Sequence, residues 1–154
     1  MATLPTDGYN ISDYRRLAAK ARGEFKKDPR QAAEKSYLAA VHAARQILAC
    51  AGVEWKSGKR QSSAAIGRAA NVLGESGLGA DEFQPITRAF TLALGQHSAC
   101  FYDGVCERSA VWDAVTAVDT ATGSLDRVCR RLISMRPVPV DEFAGTARPR
   151  RRRG

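Results

Sequence analysis

The stretch Asp28–Gly52, "DPRQAAEKSYLAAVHAARQILACAG", restricts the possible folds more than any other part of the chain. Asp28 is a good N-cap, and Pro29 falls on the first helical position, where its missing amide is harmless. Gln31 stands where a capping box wants Glu or Gln. Ala33, Tyr37, Ala40, Val41, Ala44, Ile47 and Leu48 then recur at three and four, and Gly52 lies where a left-handed C-terminal cap belongs. A long amphipathic helix with marked ends needs other helices to cover its apolar face.

The rest of the chain supplies them. A helix from Ser12 to about Lys27 carries Tyr14, Leu17, Ala18, Ala21 and Phe25 along one stripe, and a tight turn at Asp28 makes it antiparallel to the next. After the polar loop "VEWKSGKRQ", a third helix spans about Ser62–Glu75, with Ile66, Ala69, Ala70 and Leu73 on its face. A fourth follows Asp81 as N-cap, with Gln84 in the box position and Pro85 in the first turn; its line is Phe90, Leu94, His97 and Phe101. A fifth, from Glu107, shows Val111, Val115, Val118, Thr122, Leu125, Val128, Cys129 and Leu132 at helical spacing, with Gly123 as a point of bending. Beyond Arg136 the prolines of "RPVPVDEFAGTARPRRRRG" stop any helix. The expected fold is all-α: an up-and-down bundle of four to five helices over residues 12–134, an N-terminal extension over 1–11, and a disordered, Pro/Arg-rich basic tail over 135–154.

Charge separates these parts. Residues 1–126 hold 15 Lys/Arg against 14 Asp/Glu, whereas residues 127–154 hold 9 against 2, so most of the net +8 belongs to the C-terminal end. The five arginines Arg148, Arg150, Arg151, Arg152 and Arg153 form a segment able to displace counterions from a phosphate backbone, without an aromatic among them to read bases. RNA or another polyanion is the expected partner.

No apolar run is long enough to span a membrane, and the start "MATLPTDGYNISDY" has neither a basic leader nor a continuous apolar stretch. Cys50, Cys100, Cys106 and Cys129 contain no CxxC pair and read as small buried thiols, so the expected location is cytoplasmic. The spacings of His42, His97 and the cysteines advertise no metal site, and no Gly-rich phosphate loop or GxSxG elbow is present, so neither metal nor cofactor is expected.

The stretch "GQHSACFYDG", residues 95–104, gathers an imidazole, a thiol, two aromatic rings and a carboxylate. His97 is the candidate general acid or base, and Gln96 and Tyr102 are candidate lining residues of a groove beside it. Phe101 reads as core. Arg88, the nearest upstream arginine, precedes His97 by nine residues, which at about 100° per residue turns it half a turn away.

"DPRQAAEKSYLAAVHAARQILA" followed by "QHSACFYDGVCERSAVWDAVTAVDT" resembles the HEPN superfamily of small helical bundles, and especially its PaREP1-like members, in which a "GD-x-x-QA-x-EK" helix start precedes an "LH-x-x-FYE" helix end. Gln31, Ala32, Glu34 and Lys35 fall on the first motif, and His97, Phe101, Tyr102, Asp103 and Gly104 on the second, so the likeness spans about residues 11–133. It implies a bundle that often dimerises or forms a higher homo-oligomer. Active members are metal-independent endoribonucleases of toxin or defence type; others are non-catalytic partners of RNA, nucleotides or proteins. In active members an arginine precedes the histidine by little more than one helical turn, an interval filled here by Leu92, Ala93, Leu94, Gly95 and Gln96. The expected function is therefore a non-catalytic module that binds RNA, a nucleotide or a protein partner and is attached electrostatically by its tail. The alternatives are a ribonuclease using His97 with Arg88, and a structural, self-assembling helical protein.

Overall fold

The computed structural model describes residues 11–55 and 62–136. They form α1 (Ile11–Phe25), α2 (Pro29–Cys50), α3 (Ser62–Glu75), α4 (Ala80–Gln96), a π-helix (His97–Tyr102) that continues α4 directly, and α5 (Arg108–Met135). Among the described residues there is no strand, and the expected all-helical bundle is what forms. No described helix is long and apolar enough to cross a membrane. The five arginines of the tail lie outside the described residues.

Local chemistry explains most of the boundaries. The Asp28 carboxylate accepts from the amides of Arg30 (3.1 Å) and Gln31 (3.3 Å), as an N-cap should. The amide of Asp28 is already spent on the Glu24 carbonyl at 2.7 Å, closing α1, so it is not the donor that the second half of a capping box would need. At the other end, Gly52 has φ +77°, its amide bonds the Ala49 carbonyl, and the Val53 amide bonds the Leu48 carbonyl. These are the two bonds of a Schellman motif, which the left-handed glycine makes possible.

Two expected starts move. α1 already includes Ile11, so Ser12 lies within its first turn instead of ahead of it. The cap of α4 lies two residues before the expected Asp81: Gly79 is the N-cap, and its amide donates to Glu82 Oε2 at 3.1 Å. The shift leaves Asp81 and Glu82 in the first turn, where their charges favour the positive helix end, and Pro85 inside the helix. α5 runs through Gly123 as one helix.

α2 packs against every other helix, and α5 lies along α1, α2 and α4. The inner faces carry many buried alanines, among them Ala18, Ala40, Ala44, Ala69, Ala93, Ala114 and Ala121. Small side chains at the contacts let helix axes approach at the short end of the usual range. Tyr14, the largest fully buried side chain, donates its hydroxyl to the Val118 carbonyl, which satisfies a polar atom within the core. A second, smaller core of Ala21, Ala32, Ala33, Cys100, Val111 and Val115 lies where the end of α1, the start of α2, the π-helix and the start of α5 meet, with Phe25 and Cys106 packed against it.

The cysteines are not free thiols. Cys50 bonds Cys129 and Cys100 bonds Cys106. The first pair ties the end of α2 to α5 across 79 residues of sequence, a proximity that spacing along the chain cannot reveal. The pairing removes the unpaired thiols as a ground for a cytoplasmic location.

Candidate functional site

His97 opens the π-helix and is held by rings. Its imidazole stacks on Tyr37 of α2 with centroids 3.6 Å apart and planes 8° apart. Phe101 lies parallel to it at 5.4 Å, and Tyr102 meets it edge-on at 4.8 Å. The line Phe90, Leu94, His97, Phe101 was expected to point into the core. In the structure Phe90 is buried, but Leu94, His97 and Phe101 are half-buried, and Ala93 and Cys100 take the inward positions. Phe101 is therefore a flank residue that helps to hold His97 against α2.

Arg30, on the first turn of α2, closes this cluster. Its Nε donates to the Phe101 carbonyl at 2.6 Å, its Nη2 approaches the Tyr102 carbonyl at 3.5 Å, and its guanidinium lies 5.8 Å from the centre of the Phe101 ring. The carbonyls at the end of a helix lack intrahelical donors, and a cation there meets the negative end of the dipole. Gly104, with φ +75°, then turns the chain away, and the Val105 amide closes on the Ala99 carbonyl at 2.8 Å.

Burial lowers the His97 pKa below the ordinary imidazole value, and the Glu34 carboxylate offsets part of that shift. Nδ1 of His97 and Oε1 of Gln96 are buried and have no hydrogen-bond partner among the described residues. Tyr102 is 66% exposed, so of the two expected lining residues one faces solvent and the other turns its amide oxygen inward. Arg88 is exposed and lines a different depression between α4 and α5, with Asp81, Gln84, Pro85, Thr116 and Thr120. The arginine brought to the His97 cluster is Arg30.

A second surface at the same junction combines charge and aromatic rings. A groove of about 580 Å³ is lined by Arg22, Phe25, Lys26, Arg108, Ser109 and Trp112. The Phe25 and Trp112 rings meet at 4.9 Å and a tilt of 46°. The Arg22 guanidinium lies 5.6 Å from the Trp112 ring, and that of Arg108 lies 4.7 Å from the Phe25 ring. Arg22 is paired with Asp119, while Lys26 and Arg108 form no salt bridge among the described residues. Except for Phe25, counted only as part of the first helix's apolar stripe, none of these residues was singled out in sequence. A signal does exist, because Arg22, Phe25 and Lys26 are spaced i, i+3, i+4, and Arg108 and Trp112 are spaced i, i+4. Its meaning depends on two helix ends, Phe25 and Arg108, that are far apart in sequence meeting in space.

Compared with protein-family models, with curated proteins and with solved structures, the chain matches none.

Proposed function

We propose that the chain is a non-catalytic, HEPN-like helical module that binds RNA, with the groove at the junction of α1 and α5 as its contact surface and the tail arginines Arg148 and Arg150–Arg153 adding electrostatic attachment. The observation that carries the reading is the lining of that groove: three cations, two aromatic rings and a hydroxyl, with no carboxylate side chain among them. Such a surface attracts phosphate, and the partner's phosphates would release counterions on binding. All of the lining residues come from one chain, so this reading does not require the homodimer that the resemblance implies.

The His97 cluster supports binding over cleavage. Arg30 directs its Nε and one terminal nitrogen to main-chain carbonyls, and Arg88 belongs to another face. Disulfides ordinarily form in oxidising compartments, so a cytoplasmic location is not carried into the proposal.

The test is to incubate the purified chain and His97→Ala with total RNA in EDTA, and to follow binding and integrity together. The expected outcome is a retarded but intact RNA with both proteins. Cleavage by the wild type alone would overturn the non-catalytic reading, and absence of any retardation at low salt would overturn RNA binding.

A further inference from the structure

We propose that the groove between the last turn of α1 and the first turn of α5 takes one unpaired nucleotide of a single-stranded RNA, its base against Trp112 and its phosphate against Arg108, Lys26 and the first amides of α5. This rests on the RNA-binding reading and specifies which form of RNA is bound.

Three features point to a nucleotide in place of a bare anion or an apolar peptide. The first is the pairing of rings with uncompensated cations. Lys26 and Arg108 have no acidic partner among the described residues, yet they border the Phe25–Trp112 pair. A nucleotide needs both a stacking surface and a cation a few ångströms away, and here the Arg22 and Arg108 guanidinium groups lie 5.6 Å and 4.7 Å from the centres of the Trp112 and Phe25 rings.

The second is the exposure of Trp112. It is 37% exposed, outside both buried cores, and leans on Phe25, which is itself packed against the smaller core. The indole thus stands on a fixed support with part of its surface in solvent, as a stacking platform must. The groove, at about 580 Å³, falls within the range of about 300–1,000 Å³ typical of small-ligand sites.

The third is the start of α5. The N-cap Glu107 makes no side-chain cap bond, and the first helical bond at this end is from the Val111 amide to the Glu107 carbonyl. The amides of Arg108, Ser109 and Ala110 therefore have no acceptor within the helix, at the positive end of a dipole that runs through 28 residues. Ser109 lines the groove, so this helix start borders the same groove as the two cations. Two carboxylates work against it: that of Glu107, 3.5 Å from Ser109 Oγ, and that of Asp119, which is paired with Arg22.

Duplex RNA keeps its bases stacked and cannot offer one to Trp112, so the site separates single strands from double strands. The test uses the full chain with Trp55→Phe, which leaves Trp112 as the only tryptophan. Its fluorescence is titrated with a short oligoadenylate, a blunt RNA duplex of equal charge, and AMP, and affinity for labelled oligoadenylate is measured in parallel on the otherwise unaltered chain. Quenching is expected with oligoadenylate and not with duplex. Arg108→Ala and Trp112→Leu should each weaken oligoadenylate binding by about tenfold or more, and Glu107→Gln should strengthen it. Arg108 is exposed, so its variant tests the site even where Trp112→Leu perturbs packing.

If oligoadenylate and duplex bind equally, without quenching and unaffected by Arg108→Ala, the nucleotide site is overturned while RNA binding stands. If no RNA binds the wild type, the RNA reading itself falls. If AMP saturates the quench and oligoadenylate cannot compete, the occupant is a free nucleotide and the single-strand assignment is overturned.

Discussion

At the scale of the residue, His97 shows how packing decides the chemistry of a side chain. Tyr37 and Phe101 lie parallel to its ring, Tyr102 meets its edge, and burial disfavours the imidazolium, with Glu34 partly opposing. Of the groups facing it, Glu34 belongs to α2, as does Arg30, whose guanidinium is turned to the π-helix carbonyls. The folded pKa is below the unfolded value of about 6.5, so below that pH the unfolded chain binds more protons than the native one. Stability is then fully present above about pH 6.5 and declines as pH falls through the window beneath it. His42 acts in the same direction, since burial lowers its pKa too, helped by Arg45 and Arg16 and opposed by Asp13. Urea midpoints at pH 7.5 and pH 5.5 test this prediction: the drop should be smaller in His97→Gln than in the wild type, and equal drops would remove His97 as a source of the pH dependence. Loss of stacking lowers both midpoints of the variant, so only the difference between the two pH values bears on the titration.

At the scale of the element, the same junction shows what a linear pattern can and cannot disclose. The helix signals of α2 were legible because Asp28, Pro29 and Gly52 act on their own neighbours, and the apolar period of α5 survived Gly123 because one face stays buried along its length. The π-helix was not legible: its turns hold more residues than those of an α-helix, and nothing in "HSACFY" marks the change of period. Nor was the cysteine pairing, since Cys50 meets Cys129 only after α2 and α5 have packed. The groove was hidden for the same reason, each of its halves being an ordinary basic, aromatic helix end. The two disulfides should differ in what they contribute. Cys50–Cys129 closes a loop of 79 residues and Cys100–Cys106 one of 6, so chain entropy assigns about 4–5 kcal/mol to the first and about 2 kcal/mol to the second. Urea unfolding of the Cys50→Ala/Cys129→Ala and Cys100→Ala/Cys106→Ala pairs checks the order, and equal losses would show that native packing outweighs loop length. Because Cys106 is two residues before Arg108, the short bridge also anchors the start of α5, and the second pair should lose RNA affinity beyond its modest loss of stability.

At the scale of the whole molecule, charge and architecture divide the work of attachment. α5 is 28 residues long, or about 40 Å, with the groove at its first turn and Arg127, Arg130, Arg131 and Arg136 towards its end. Two of these are already compensated, Arg130 by Asp126 at 2.9 Å and Arg131 by Glu82 at 2.7 Å, which leaves the five tail arginines as the larger cationic reserve in the sequence. A groove that holds a nucleotide and a tail that meets phosphates without rings should respond differently to salt. For single-stranded RNA the slope of log K against log salt falls by about 0.7 for each phosphate neutralised. Replacing Arg148, Arg150, Arg151, Arg152 and Arg153 by Gln should therefore flatten the slope by up to about 3.5, with the preference for single strands retained. Replacing Lys26 and Arg108 by Gln should flatten it by up to about 1.4 and remove that preference. Affinities for oligoadenylate and duplex at three salt concentrations measure both quantities at once. A tail variant with the wild-type slope would show that the tail takes no part in binding, and a groove variant that keeps its strand preference would place the discrimination elsewhere on the bundle.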